Sequence, residues 1–206
     1  MTQILLGQSY FLRFDPKLWE AMKPYPPLGT LYAASALRER GYDVGLFDAM
    51  LAESEEEWAE TLDQHQPRFA VLFEDNFNYL SKMCLLRMRE AAFTMIQMAR
   101  QRGCTVILCG ADATDHASDY LAQGADFILV GEGEETLIEL LDCLTEKSDR
   151  ALDEILGLVT KMGDASSVPS GGQIFASWTR SPSQLGTWWM SPVIGKFGKI
   201  GTDIFR

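Results

Sequence analysis

Two glycine turns and one polar loop hold the residues whose types and spacing suit contact with a ligand. The turns are Cys109-Gly110-Ala111-Asp112-Ala113-Thr114 and Gly131-Glu132-Gly133-Glu134-Glu135-Thr136, and the loop is Glu74-Asp75-Asn76-Phe77-Asn78-Tyr79. Glycine lets a ligand come close to the backbone, and Asp75, Asn76 and Asn78 offer hydrogen bonds to amide groups. The second turn has the outline of a dinucleotide loop without its third glycine. Its three carboxylates at a helix start would repel a pyrophosphate where the backbone dipole attracts one. As a structural device the same glutamates suit that dipole. At the first turn, Asp112 and Thr114 could equally cap the helix that follows.

Other chemistries find little support. There is no G-x-x-x-x-G-K-[ST], no serine in a glycine elbow, and no metal-ligand spacing around the two histidines, His65 and His116. Cys84, Cys104, Cys109 and Cys143 fall singly in apolar patterns with no C-x-x-C pair, and read as reduced core thiols of a cytoplasmic protein. A net charge of −11 argues against a nucleic-acid surface, which needs clustered Lys and Arg. The N-terminal MTQILLGQSYFLRF is too short and too polar for a membrane span and reads as a first strand.

The elements that must position these turns follow from periodicity. Short apolar runs at 4–7, 43–48, 69–73, 106–108 and 127–130 predict five strands, and the last two have the continuous pattern of strands buried on both faces. Helical patterns cover 29–40, a stretch opening at Ser54, 80–102, the stretch after Gly110, and 134–146, with Gly41 and Gly103 as stop signals. Strands separated by helices, without hairpin signals, predict an α/β fold: a doubly wound five-stranded parallel sheet, Rossmann-like or flavodoxin-like, of order 2-1-3-4-5. Ligands of such sheets bind at the carboxyl edge. The switch point lies between the first and third strands, flanked by the proline-rich connection 8–28 and the 75–79 loop. The domain is expected over residues 1–150. Residues 151–206 read as an irregular linker or tail, rich in Gly, Ser, Pro and Trp beyond Gly163.

Three motifs in this order resemble one family. They are Pro26-Pro27-Leu28-Gly29 leading into Leu31-Tyr32-Ala33-Ala34-Ser35-Ala36-Leu37-Arg38 and Gly41-Tyr42-Asp43-Val44; the Gly110 turn; and Gly124-Ala125-Asp126-Phe127 followed by the Gly131 turn. Over about residues 3–146 the chain resembles the N-terminal cobalamin-binding domain of the cobalamin-dependent radical S-adenosylmethionine enzymes. At the Gly110 turn that family usually has two glycines and often a histidine before the threonine.

The resemblance implies cobalamin held at the carboxyl edge, its nucleotide tail beside the Gly110 turn. The implied binding residues are Pro27, Leu28 and Gly29; Asp75, Asn76 and Asn78; Gly110, Ala111, Asp112 and Thr114; and Gly131, Glu132 and Gly133. Many cobalamin domains supply a cobalt-ligating histidine from D-x-H-x-x-G after the first strand. Residues 8–28 contain no histidine, so the cofactor would be held without it. The family's radical domain needs C-x-x-x-C-x-x-C, and no cysteine follows Cys143. The expectation is therefore a truncated or stand-alone cobalamin module with no iron–sulfur cluster and no catalysis of its own. Its partner would be a radical domain or a separate subunit. Two alternatives stand beside it. One is a flavodoxin- or receiver-like interaction domain without cobalamin, for which Asp75 is suitably placed but Ile4-Leu5-Leu6-Gly7-Gln8 lacks the acidic pair. The other is a corrinoid carrier for a methyltransferase, against which the missing histidine counts.

Overall fold

A computed structural model describes residues 3–74 and 85–160. Its single sheet has six strands: β1 (Ile4–Gly7), β2 (Val44–Leu46), β3 (Phe69–Glu74), β4 (Thr105–Gly110), β5 (Phe127–Leu129) and β6 (Leu158–Thr160). Their spatial order is β2-β1-β3-β4-β5-β6, with the first five parallel. The expected order of five strands holds. The sixth is an addition to the five-stranded expectation and extends the sheet past residue 150: β6 pairs antiparallel with β5, Ile128 opposite Val159. Three residues are too few to show a period, and an antiparallel edge strand needs no crossover helix to announce it. Gly157, at φ 77°, makes the turn into β6, and its carbonyl accepts from the Val130 amide at 2.8 Å.

The strands alternate as a pleat requires. Leu5, Ala70, Leu72, Val106, Leu108 and Ile128 enter one core, while Ile4, Leu6, Phe69, Val71, Ile107 and Leu129 enter the other. Helices α3 (Glu56–His65) and α4 (Leu85–Gln101) cover the first face with the short helices α5 (Ala111–Asp115) and α6 (Ala117–Ala122). Helices α2 (Leu28–Glu39) and α7 (Glu134–Leu144) cover the second. Burying both faces of the sheet makes its strands apolar throughout, which is why they were legible as continuous runs. Gly41 (φ 85°) and Gly103 (φ 76°) follow the ends of α2 and α4 in the left-handed conformation the stop signals predicted.

The connection after β1 holds more regular structure than its prolines suggest. Leu12–Phe14 forms a 3-10 turn, and α1 (Pro16–Ala21) follows. Pro16 opens that helix at a position whose amide would have no partner anyway. Asp15 caps it, accepting from the Leu18 amide at 3.1 Å while its other oxygen accepts from the Tyr10 hydroxyl at 2.8 Å. Tyr10, Leu12 and Met50 form a small separate core with Leu18, Trp19, Tyr25 and Met88.

Candidate functional site

The carboxyl ends of β3 and β4 stop side by side, with Glu74 opposite Gly110 in the ladder. Beyond them the Gly110 turn and the Gly131–Gly133 turn face each other across a cleft of about 150 Å³. Its walls are Phe73 and Glu74 from β3, Cys109 and Gly110 from β4, Ala111, and residues 131–134. Five of the residues expected at a site meet here: Gly110, Ala111, Gly131, Glu132 and Gly133.

Close packing explains two of the glycines. A Cβ on Gly110 would stand 2.6 Å from the Glu74 Cβ and 2.7 Å from its carbonyl oxygen, at a backbone φ of 149°. With ψ at 162° this conformation is nearly exclusive to glycine. Gly133 faces the Cys109 side chain so closely that a Cβ there would overlap Sγ. The Cys109 thiol in turn donates to the Gly131 carbonyl at 3.7 Å. Gly133 precedes α7, whose first turn carries Glu134 and Glu135, the arrangement that complements the helix dipole.

Asp112 and Thr114 are engaged by the protein itself. Asp112 takes a two-pronged ion pair from Arg89 of α4, at 2.7 and 2.5 Å, and accepts from the Tyr120 hydroxyl at 2.7 Å. Burial works against its charge, but these bonds outweigh it and hold the carboxyl below the usual range. Tyr120, buried and bonded to that carboxylate, is raised far above the ordinary phenol. The Thr114 hydroxyl donates to the Gly110 carbonyl at 2.9 Å. Neither side chain makes the capping bond that the alternative reading of the turn suggested.

Pro27, Leu28 and Gly29 sit at the head of α2, on the same edge but outside the lining of the cleft. Thr30 fixes that head by donating to the Phe73 carbonyl at 3.0 Å, a buried bond. Asp75, Asn76 and Asn78 lie outside the described residues.

Four lining residues, Phe73, Glu74, Cys109 and Glu134, were not among those expected at the site; of these Glu74, which opens the polar loop in the sequence, is the most informative. Glu74 is the last residue of β3 and is half-buried, yet its Oε1 is shielded from solvent and has no hydrogen-bond partner among the described residues. Burial pushes its carboxyl up to about 7; the hydroxyl and amide of Ser9 pull the other way, and Asp112 adds to the rise. The signal available in the sequence was a carboxylate placed directly after five apolar strand residues. Among the described residues no group of three or more His, Cys, Asp or Glu side chains could hold a metal ion.

The profile of the B12 binding domain matches residues 20–141. Among solved structures, the fold is similar to the cobalamin-dependent S-adenosylmethionine radical enzyme OxsB with aqua-cobalamin and S-adenosylmethionine bound. That alignment has a TM-score of 0.57 and 19% identity, over 77% of this chain and 20% of OxsB. The apo, selenomethionine-labelled OxsB structure aligns at a TM-score of 0.52 and 19% identity over the same shares. The chain thus spans about a fifth of OxsB's length, and at this identity the likeness is one of fold. Comparison with curated protein sequences finds no match.

Proposed function

Because the chain belongs to the B12-binding domain family, we propose that it binds cobalamin at the carboxyl edge of the sheet, over the cleft between the Gly110 and Gly131–Gly133 turns. The observation that carries this reading is the cleft itself. It lies at the end of three neighbouring parallel strands, where open α/β sheets bind ligands, and the matched residues 20–141 contain all of it. The residues present fit such a cofactor. Glycine at 110, 131 and 133 leaves backbone without side chains on both sides of the cleft, and the Glu74 carboxyl holds an oxygen with no hydrogen-bond partner among the described residues. Pro27, Leu28 and Gly29, at the head of α2 on the same edge, belong to the proposed contact set, as do Asp75, Asn76 and Asn78, which lie outside the described residues. Asp112 acts at one remove, fixing the turn through Arg89 and Tyr120.

Bound there, the cofactor would supply its cobalt centre as the reactive atom; the chain's own part is to bind it and orient it. Residues 8–28 hold no histidine; the Gln8 side chain accepts from the Tyr10 amide and donates to Asp48, and the Tyr10 hydroxyl donates to Asp15. The cofactor is therefore held without a histidine from that loop. The module serves a radical S-adenosylmethionine domain, in the same assembly or as a separate subunit, a reading supported by the fold it shares with a fifth of OxsB.

Equilibrium titration of the purified chain with cyanocobalamin, followed by visible absorption, tests the proposal. Saturable one-to-one binding below ~100 μM is expected. A well-folded chain that binds none at that concentration overturns it.

A further inference from the structure

Among the described residues, the Glu74 carboxyl differs from every other acid at this edge. Asp112 is matched by Arg89 and Tyr120, whereas Glu74 Oε1 is buried with no hydrogen-bond partner among the described residues. An ionised oxygen in that state is costly, and buried polar atoms in folded proteins are almost always paired. The stem of Glu74 is fixed, because the missing Cβ of Gly110 lets the two strands close tightly around it.

Groups from each neighbouring element decide its protonation. Ser9, after β1, favours the charged form through its hydroxyl and amide. Asp112 of α5 and the Tyr120 phenol of α6 both couple to it, and the Asp112 charge opposes ionisation. Arg89 of α4 and, at 3.9 Å, His116 face Asp112. Cys109 of β4 lines the same cleft, as do Glu132 from the β5–α7 turn and Glu134 of α7. Among the described residues, none that lines the cleft is basic. Desolvation and acidic neighbours thus act together, and a proton is the simplest way to satisfy both.

We infer, building on the cobalamin reading above, that Glu74 meets the bound ligand as a neutral carboxylic acid and donates its proton to an uncharged acceptor there, an amide carbonyl or a ring nitrogen. The acidic walls disfavour an anionic group such as phosphate at this position. Ligand binding is then linked to proton uptake: deprotonation removes the donor and sets a carboxylate against an acceptor. Affinity falls as the pH rises through the titration of Glu74, near 7 in the free protein.

The test measures the dissociation constant of cyanocobalamin, whose cobalt ligands do not titrate in this range, for the full chain, Glu74→Gln and Glu74→Ala. Circular dichroism confirms folding at each pH. The parent chain is expected to weaken by about tenfold between pH 6 and pH 8, following the one-proton linkage. Glu74→Gln, a permanent donor of the same shape, should match the parent at pH 6 and stay flat. Glu74→Ala should be weak throughout. Binding by the parent that does not vary with pH, or a pH dependence that persists in Glu74→Gln, overturns the role of Glu74 and leaves the cofactor reading standing. No binding by any of the three at any pH overturns both.

Discussion

Gly110 is the residue on which the local geometry turns. A larger side chain there looks at first like a probe of ligand access. The neighbouring strand changes that expectation, because a Cβ would strike the Glu74 Cβ and carbonyl and the backbone sits in a glycine region. Gly110→Val should therefore destabilise the fold by about 3 kcal/mol or more, combining overpacking with backbone strain. Thermal unfolding checks this: an unchanged midpoint would show that β3 and β4 relax freely at this end. Gly133→Ala should also destabilise, through overlap with Cys109. Adding Cys109→Ala should recover part of the loss in a double-mutant cycle, since the overlapping atom is then gone. The histidines make a contrasting pair. His65 ends α3 and packs near Gly45 of β2, whereas His116 lies between α5 and α6 near Asp112. If cobalt takes no histidine from this chain, His65→Ala and His116→Ala leave the visible spectrum of bound cobalamin unchanged. A shifted spectrum in either would identify a ligand.

Between elements, the clearest tie joins the residues that follow α2 to the last turn of α7, at the sheet edge opposite the cleft. Asp142 accepts from the Arg40 guanidinium at 2.6 and 3.0 Å and from the Tyr42 hydroxyl at 2.7 Å, and the Lys147 ammonium lies 3.5 Å from the Tyr42 ring centroid. Burial pushes the Tyr42 phenol up to about 12. Burial also opposes charge on Asp142, but the bonds from Arg40 and Tyr42 prevail and keep its carboxyl below the ordinary range. A depressed carboxyl stabilises the fold above its unfolded pKa of about 4 and loses that contribution as pH falls through the lower folded value. The Arg40 side chain is 56% exposed against 7% for Asp142, so solvent screens the pair. Asp142→Asn should cost about 1–2 kcal/mol at neutral pH. It should also flatten the acid limb of stability below about pH 4. Urea unfolding of both forms at pH 3 and pH 7 measures this, and equal losses at the two pH values would sink the linkage. Glu74 has the opposite sign: its raised folded value makes the fold less stable above pH 7 than below pH 5.

At the scale of the molecule, the described residues make one sheet with two apolar faces, and no helix among them is long and apolar enough to cross a membrane. The sixth strand belongs to that unit: Ile155 and Val159 are 4% and 7% exposed and pack into opposite cores. Each contributes about 2 kcal/mol of burial. A chain ending at residue 150 should therefore unfold at a clearly lower temperature than one ending at residue 162, which keeps β6. Equal midpoints would show that β6 adds nothing to the unit. Three of the four cysteines are held within the fold, the thiols of Cys104, Cys109 and Cys143 donating to the carbonyls of Pro67, Gly131 and Arg150. Anaerobic reconstitution with iron and sulfide should give no stoichiometric [4Fe–4S] signal from this chain, and a cluster competent to cleave S-adenosylmethionine would reverse that expectation.

The amino-acid sequence by itself determined the parallel sheet, its order over five strands and the edge that carries the cleft. Those features rest on local signals. An apolar run ending in glycine, then a polar turn and a helical period, is complete within some thirty residues, and chirality leaves few ways to assemble such units. The tertiary structure alone decided what the edge residues do. Asp112 read as a ligand contact or a cap until Arg89, 23 positions away, was seen to take it. Glu74 read as one more polar loop residue until the chain around it buried one oxygen without a partner among the described residues. Gly110 read as room for a ligand, and it is also room for the neighbouring strand. In each case the deciding energy is a desolvation or a close contact between segments distant in the chain. No single strand, turn or helix contains both partners.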